Sequence, residues 1–306
     1  MPWYRILSLD GGGIRGLLTA ILLERLEQAQ PGWLAQIDLF AGTSTGGLLA
    51  LGLAAGKTPR EAQRLYEQYG RQVFADSPLD DVGDLDKLLG AEYDIEPLKE
   101  ALTKEFGDLT LGDLPKKVLV SSFDLDNRPD DPAEVRTWKA KFFHNYPGLD
   151  SDAGQLVVDV GLRTSVAPAY FPTYQGYVDG GVVANNPSVC ALAQALHLPT
   201  GGQTLEDILL LSAGTGANPR FLVGESKDWG IVQWATVLVN LVMEGSAGLA
   251  DYQCQQLLGE RYLRLNPLLP SAIGMDQVKQ IPLLQQIARQ YDLCQTIEWI
   301  RQYFQP

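Results

Sequence analysis

The feature that most narrows the fold is a serine set between glycines, Gly42-Thr43-Ser44-Thr45-Gly46, at the junction of two apolar runs. Residues 37–41 read as a short strand, and residues 45–55, small and apolar throughout, read as a buried helix. A chain that passes from strand to helix in so few residues must bend sharply, and glycine removes the Cβ that would obstruct the bend. The same succession opens the chain. Residues 4–9 are strand-like, Asp10-Gly11-Gly12-Gly13-Ile14-Arg15-Gly16 supplies the turn, and residues 16–28 put Leu17, Leu18, Ile21, Leu22 and Leu26 on one helical face. The succession begins again at residues 208–211, which run into Ser212-Ala213-Gly214-Thr215-Gly216. Repetition of strand, glycine turn and helix predicts an α/β fold built on a layered sheet.

Other elements follow from local chemistry. Pro59 opens a helix with Thr58 as N-cap and Glu61 in its first turn. Residues 117–123 form a strand, 157–163 begin a helix, 177–179 approach as a strand, and 188–197 form a helix preceded by Pro187. Residues 76–94 are acidic and irregular, as a surface excursion would be. No repeat or proline-rich linker divides the 306 residues, so one domain is expected, with a core over about 4–216 and a helical C-terminal flank over about 229–306.

Composition excludes several functions. A net charge of −13 leaves no positive footprint for nucleic acid. Cys190, Cys254 and Cys294 are odd in number and widely spaced, which argues for reduced thiols rather than disulfides or a zinc site. The N-terminus enters a strand directly, and the longest apolar stretch, 230–243, is interrupted by Gln233 and Asn240. A cytoplasmic protein is expected.

Three glycine-rich or acidic patterns compete for a function. Gly11-x-Gly13-x-x-Gly16 satisfies a dinucleotide fingerprint, but the second strand ends in Gly42-Thr43-Ser44 where that fold needs an acid. Residues 52–58 fall one residue short of a phosphate loop and follow a helix instead of a strand. Asp124, Asp126, Asp130 and Asp131 make an acidic loop, yet Pro129 occupies the position where a calcium loop needs glycine. The consistent alternative is nucleophilic chemistry at Ser44, with the amides of Gly11, Gly12 and Gly13 converging as an oxyanion hole and Arg15 adding charge or bracing the loop.

A serine hydroxyl needs a proton acceptor. The chain has two histidines: His144 lies in an aromatic strand-like run, and His197 ends a helix, where a cation is favoured without any chemistry. Asp179 stands at a strand end before Gly180-Gly181, which lets its loop lie close to another backbone, and is the better candidate.

Four segments in this order resemble the patatin-like phospholipases: Asp10-Gly11-Gly12-Gly13-Ile14-Arg15-Gly16, Gly42-Thr43-Ser44-Thr45-Gly46-Gly47, Thr164-Ser165-Val166-Ala167-Pro168-Ala169-Tyr170-Phe171 and Asp179-Gly180-Gly181. Asn185-Asn186-Pro187 and residues 212–216 extend the likeness, which is strong over about 4–216. The resemblance implies a three-layer α/β/α fold with a mainly parallel sheet and a Ser-Asp dyad of Ser44 and Asp179. It further implies an oxyanion hole at Gly11, Gly12 and Gly13 and no catalytic metal or cofactor. The expected reaction is hydrolysis of phospholipid, lysophospholipid or galactolipid esters through an acyl-enzyme, with transient membrane or micelle contact. A lipid-binding protein, or an effector silent until a messenger activates it, is the alternative the same motifs admit. Residues 229–234 and 237–239 would serve as an apolar entrance, although a buried core helix is the simpler reading of that stretch.

Overall fold

The computed structural model describes residues 3–74, 91–128, 134–223 and 228–304. In chain order the elements are β1 (Tyr4–Leu9), α1 (Gly16–Ala29), β2 (Leu39–Thr43), α2 (Thr45–Ala54), α3 (Pro59–Val73), α4 (Glu96–Phe106), β3 (Lys117–Asp124), β4 (Lys139–His144), α5 (Val157–Ser165), β5 (Tyr177–Asp179), α6 (Gly181–Ala184), α7 (Ser188–Leu196), β6 (Ile208–Ala213), α8 (Ile231–Leu258), β7 (Tyr262–Leu265), α9 (Ile281–Gln290) and α10 (Cys294–Tyr303). The sheet runs β4-β3-β2-β1-β6-β7, with β5 also paired to β3. Strands β1, β2, β3, β6 and β7 are parallel, while β4 and β5 run antiparallel to β3.

The central strands are apolar on both faces because both are covered. Leu7, Leu9, Phe40, Val118, Val120, Leu209 and Leu211 point into a core completed by α1, α2, α9 and α10. The alternate residues Ile6, Leu39, Ala41, Leu119, Ile208 and Leu210 meet α7 and the C-terminal end of α8. Period-two alternation thus builds a helix layer on each side of the sheet, the expected α/β/α arrangement. Helix α3 starts at the expected N-cap, Thr58, and the pair with Glu61 closes into a capping box: Glu61 N–H donates to Thr58 Oγ1 at 3.2 Å and Thr58 N–H to Glu61 Oε2 at 2.7 Å.

Three features depart from the sequence expectation. Strand β2 begins two residues late, because the backbone at Ile37 still closes a short turn on Leu34 and the Asp38 carboxylate accepts the Arg5 N–H at 2.8 Å. The C-terminal flank is mostly helical but also lays β7 along β6, pairing Leu210 with Tyr262 and Ala213 with Leu265. Helix α8 is not the buried core helix favoured above: Met243, Ala250, Cys254 and Leu258 point inward, whereas Ile231, Trp234, Leu238, Leu241, Val242, Leu249 and Tyr252 are exposed. No described helix is long and apolar enough to cross a membrane. Most of the acidic excursion over 76–94 lies outside the described residues, as do Pro129, Asp130 and Asp131.

Candidate active site

Sheet register explains how two distant residues meet. One edge of β3 carries β4 along its length. The other edge carries β2 up to the pair Thr43↔Ser121, and β5 takes over at Ser122↔Asp179. The C-terminal ends of β2 and β5 therefore abut on successive residues of β3, roughly 3.3 Å apart along the strand. One chain leaves that junction through Ser44 and the other stops at Asp179.

The turn at Ser44 is as sharp as the glycine spacing implies. Ser44 has φ 54° and ψ −127°, a conformation that bulky residues avoid. A Cβ on Gly42 would lie 2.2 Å from the Gly46 carbonyl oxygen, and one on Gly46 would lie 2.2 Å from that of Leu9, so neither position admits a larger residue. The Ser44 N–H donates to Thr164 Oγ1 at 2.8 Å, and that hydroxyl donates to the Ser121 carbonyl at 2.6 Å. Thr164, from α5, thereby ties the turn to β3. The N-terminus of α2 begins at Thr45 and directs its positive dipole end toward the serine.

Asp179 is 2 % exposed. Its N–H donates to the Val166 carbonyl at 3.0 Å, and its Oδ1 accepts the Gly181 N–H at 2.7 Å. Burial pushes its carboxyl up from 3.8 to about 6, against the opposing pull of the Ser44 hydroxyl and the Gly181 amide. Oδ2 makes no hydrogen bond of good geometry among the described residues, while the Ser44 hydroxyl stands near enough to favour the ionised carboxylate. Gly180 lies against Ser121, where a Cβ would come within 2.4 Å of the carbonyl oxygen.

The first glycine loop is held from three sides. Gly11 N–H donates to the Asn185 carbonyl at 3.0 Å, which engages that amide within the protein. The amides of Gly12 and Gly13 donate to no described residue. Thr215 Oγ1 donates to the Gly11 carbonyl at 2.9 Å and fills the space where a Gly12 side chain would stand. Gly13 has φ 58°, and a Cβ there would meet the Met275 carbonyl at 2.2 Å. Arg15 is buried; its Nε donates to the Gly12 carbonyl at 3.3 Å and its guanidinium to that of Gly216 at 3.4 Å, so it braces the loop. Burial pulls its pKa down to about 10.

Sequence reasoning missed the support beneath this loop. Asp10, which precedes the glycines, is buried and pairs through both oxygens with Arg264 of β7, at 2.9 Å for Oδ1. Arg264 also donates to Ser212 Oγ at 2.7 Å. An arginine in a short C-terminal strand carries no local signal of such a partner.

The two histidines are elsewhere. His144 is buried with Nε2 at 3.4 Å from Asp150, and His197 Nδ1 lies 2.9 Å from Thr200 Oγ1. Among the described residues no group of three or more His, Cys, Asp or Glu could hold a metal. Asp126 of the acidic loop is paired with Arg128 and Arg136 instead.

Ser44 opens onto a cavity of about 140 Å³ whose walls come from α2, α3, α4 and the segment after α5. Leu48, Leu53, Val73, Leu102 and Phe171 make it strongly apolar. A serine hydroxyl at one end of an apolar cavity suits an ester with a hydrocarbon arm.

Comparison with known proteins agrees. The sequence profile of the patatin-like phospholipases matches residues 7–189. The chain is 34 % identical to a cGAMP-activated phospholipase of Pseudomonas aeruginosa, over 94 % of this chain and 84 % of that one. It is 29 % identical to patatin-like protein 2 of Arabidopsis thaliana, over 81 % and 70 %. The structure of VipD from Legionella pneumophila shares the fold, with a TM-score of 0.52 at 14 % identity, covering 99 % of this chain and 67 % of that one. The chain belongs to the patatin-like phospholipase family of ester hydrolases.

Proposed function

We propose that the protein, acting as one catalytic unit, cleaves carboxylic ester bonds of lipids with Ser44 as nucleophile and Asp179 as base. The observation that carries this reading is the buried Asp179 carboxyl, raised to about 6 and with Oδ2 unpartnered among the described residues, at the strand junction beside the Ser44 turn. An aspartate at its ordinary pKa is a weak base, and burial moves this one toward neutrality. Asp179 takes the Ser44 proton as Oγ attacks the ester carbonyl. The oxyanion is met by the amides of Gly12 and Gly13, which donate to nothing among the described residues, each such donor contributing about 2.7–4 kcal/mol in the transition state. Gly11 braces the loop through Asn185 and stands outside the hole. The proton passes from Asp179 to the departing alcohol, and water, activated by the same carboxylate, hydrolyses the acyl-enzyme. The exposed apolar face of α8 is the surface we assign to peripheral lipid contact, because the opposite face of that helix sets Met243 beside Gly181.

A fluorophosphonate probe tests the dyad. Labelling at Ser44 that disappears in Ser44→Ala, together with loss of ester hydrolysis in a folded Asp179→Asn, is expected; undiminished hydrolysis in Asp179→Asn refutes it. The cGAMP-activated relative supports a second reading, a hydrolase silent until a cyclic dinucleotide binds. Turnover by the purified protein without additives refutes that reading.

A further inference from the structure

The cavity follows one helix from end to end. Ser44 and Thr45 line it where α2 begins, and Leu48, Leu49, Gly52 and Leu53 continue the lining at the spacing of a single helical face. Beyond Gly52 the passage meets Lys57, Glu105 and Phe106. Lys57 Nζ pairs with Glu105 Oε2 at 2.9 Å and stands 5.5 Å from the centre of the Phe106 ring. The stem of Lys57 crosses the helix at Gly52, where its Cδ would be 3.8 Å from an added Cβ. An isolated, partly exposed ion pair contributes little to stability, so tethering the α2–α3 loop to α4 is a weak reason for this arrangement.

We propose that this cavity is an acyl-chain ruler, with Ser44 at its origin and the Lys57–Glu105 pair over Phe106 as its stop. It rests on the ester-hydrolase reading of Ser44. Two magnitudes set its scale. The eight-residue climb from Ser44 to Gly52 spans about 12 Å at ~1.5 Å per residue. A hydrocarbon chain advances roughly 1.2 Å per carbon, one third of the ~3.6 Å an extended residue covers over three bonds, so the length accommodates about ten carbons. The volume of about 140 Å³ is close to that of the apolar cavities of ~150 Å³ that take up a benzene ring, which corresponds to about six carbons without wall movement. The preferred acyl chain thus lies between about six and ten carbons, shorter than the chains of most membrane lipids.

Gly52 is the natural place to shorten the ruler. A Cβ there meets only the stem of Lys57, at an ordinary contact distance of 3.8 Å, and replacing a helix-interior glycine also favours the helix. Removing the Lys57 side chain takes away the stop.

The test measures kcat/KM on p-nitrophenyl esters from butanoyl to hexadecanoyl for the wild type, Gly52→Leu and Lys57→Ala. In parallel, calorimetry follows binding of the matching fatty acids to Ser44→Ala, which reads the cavity without chemistry. In the wild type each added methylene is expected to raise kcat/KM about fourfold up to the optimum, as burial of one methylene implies. Gly52→Leu should lower the decanoyl-to-butanoyl ratio at least about tenfold, the effect of withdrawing two methylenes. Lys57→Ala should move the optimum to longer chains. A wild-type optimum at hexadecanoyl overturns the ruler, as does an equal loss on every ester in Gly52→Leu or an unchanged profile in Lys57→Ala. If no ester is cleaved while fatty-acid affinity still peaks at medium length and shifts with both substitutions in the Ser44→Ala background, the ruler stands and the hydrolase reading fails.

Discussion

Exchanging Asp179 for asparagine removes a charge from the interior while keeping the shape of the side chain and an oxygen for the Gly181 N–H. In the folded protein burial lifts the Asp179 carboxyl from 3.8 to about 6. At about 1.36 kcal/mol per unit, that difference amounts to about 3 kcal/mol of disfavoured ionisation. The raised pKa means that the native state holds the proton more tightly than the unfolded chain does. The penalty is therefore absent below about pH 4, grows as pH rises between about 4 and 6, and is complete above that window. Asparagine carries no charge at any of these values. Asp179→Asn is thus expected to be more stable than the wild type by up to about 3 kcal/mol near pH 8, with no difference near pH 4, while losing its activity. Urea denaturation of both proteins at the two pH values, followed by circular dichroism, measures the difference directly. Coincident curves at both pH values, or a less stable variant near pH 8, would refute the idea that Asp179 is a desolvated base.

The remaining predictions concern the groups around the dyad. The acid limb of the kcat/KM profile should have its midpoint near 6, where Asp179 ionises, and should persist in His144→Ala and His197→Ala. Thr164→Val deprives the Ser44 N–H of its partner; kinetics should show activity falling about tenfold or more, the effect of one unsatisfied buried donor, with the far-UV spectrum unchanged. Arg264→Leu leaves Asp10 buried without its cation and should destabilise the fold by about 3–5 kcal/mol in denaturant titration, with partial recovery when Asp10→Asn is added. Trp234→Ser on the exposed face of α8 should reduce co-sedimentation with liposomes without loss of helix.

The parts of this architecture written in local chemistry were legible in the sequence. Strands flanked by glycine turns, the Thr58–Glu61 capping box and the serine turn all depend on residues close together in the chain. The features that were not legible depend on tertiary approach. Tyr262–Leu265 has only four residues with an arginine among them, and it becomes a strand because β6 offers a free edge. Three successive glycines present three equivalent amides, and only the approach of the Asn185 carbonyl distinguishes Gly11 from its neighbours. At α8 the sequence set a buried core helix above an apolar entrance, because its apolar residues fall on more than one side of the helix and hydropathy alone cannot separate those that pack from those that face outward.

The shared edge of β3 has a consequence for the life of the chain. Ser44 arrives early in synthesis and Asp179 only after β3 and β4, and they become neighbours when β5 docks beyond the end of β2. On the reading proposed above, a chain in which β5 has not docked holds Ser44 apart from its base. Docking of β5 on β3, and not the later arrival of β6 and β7, is then the event that arms the proposed pair.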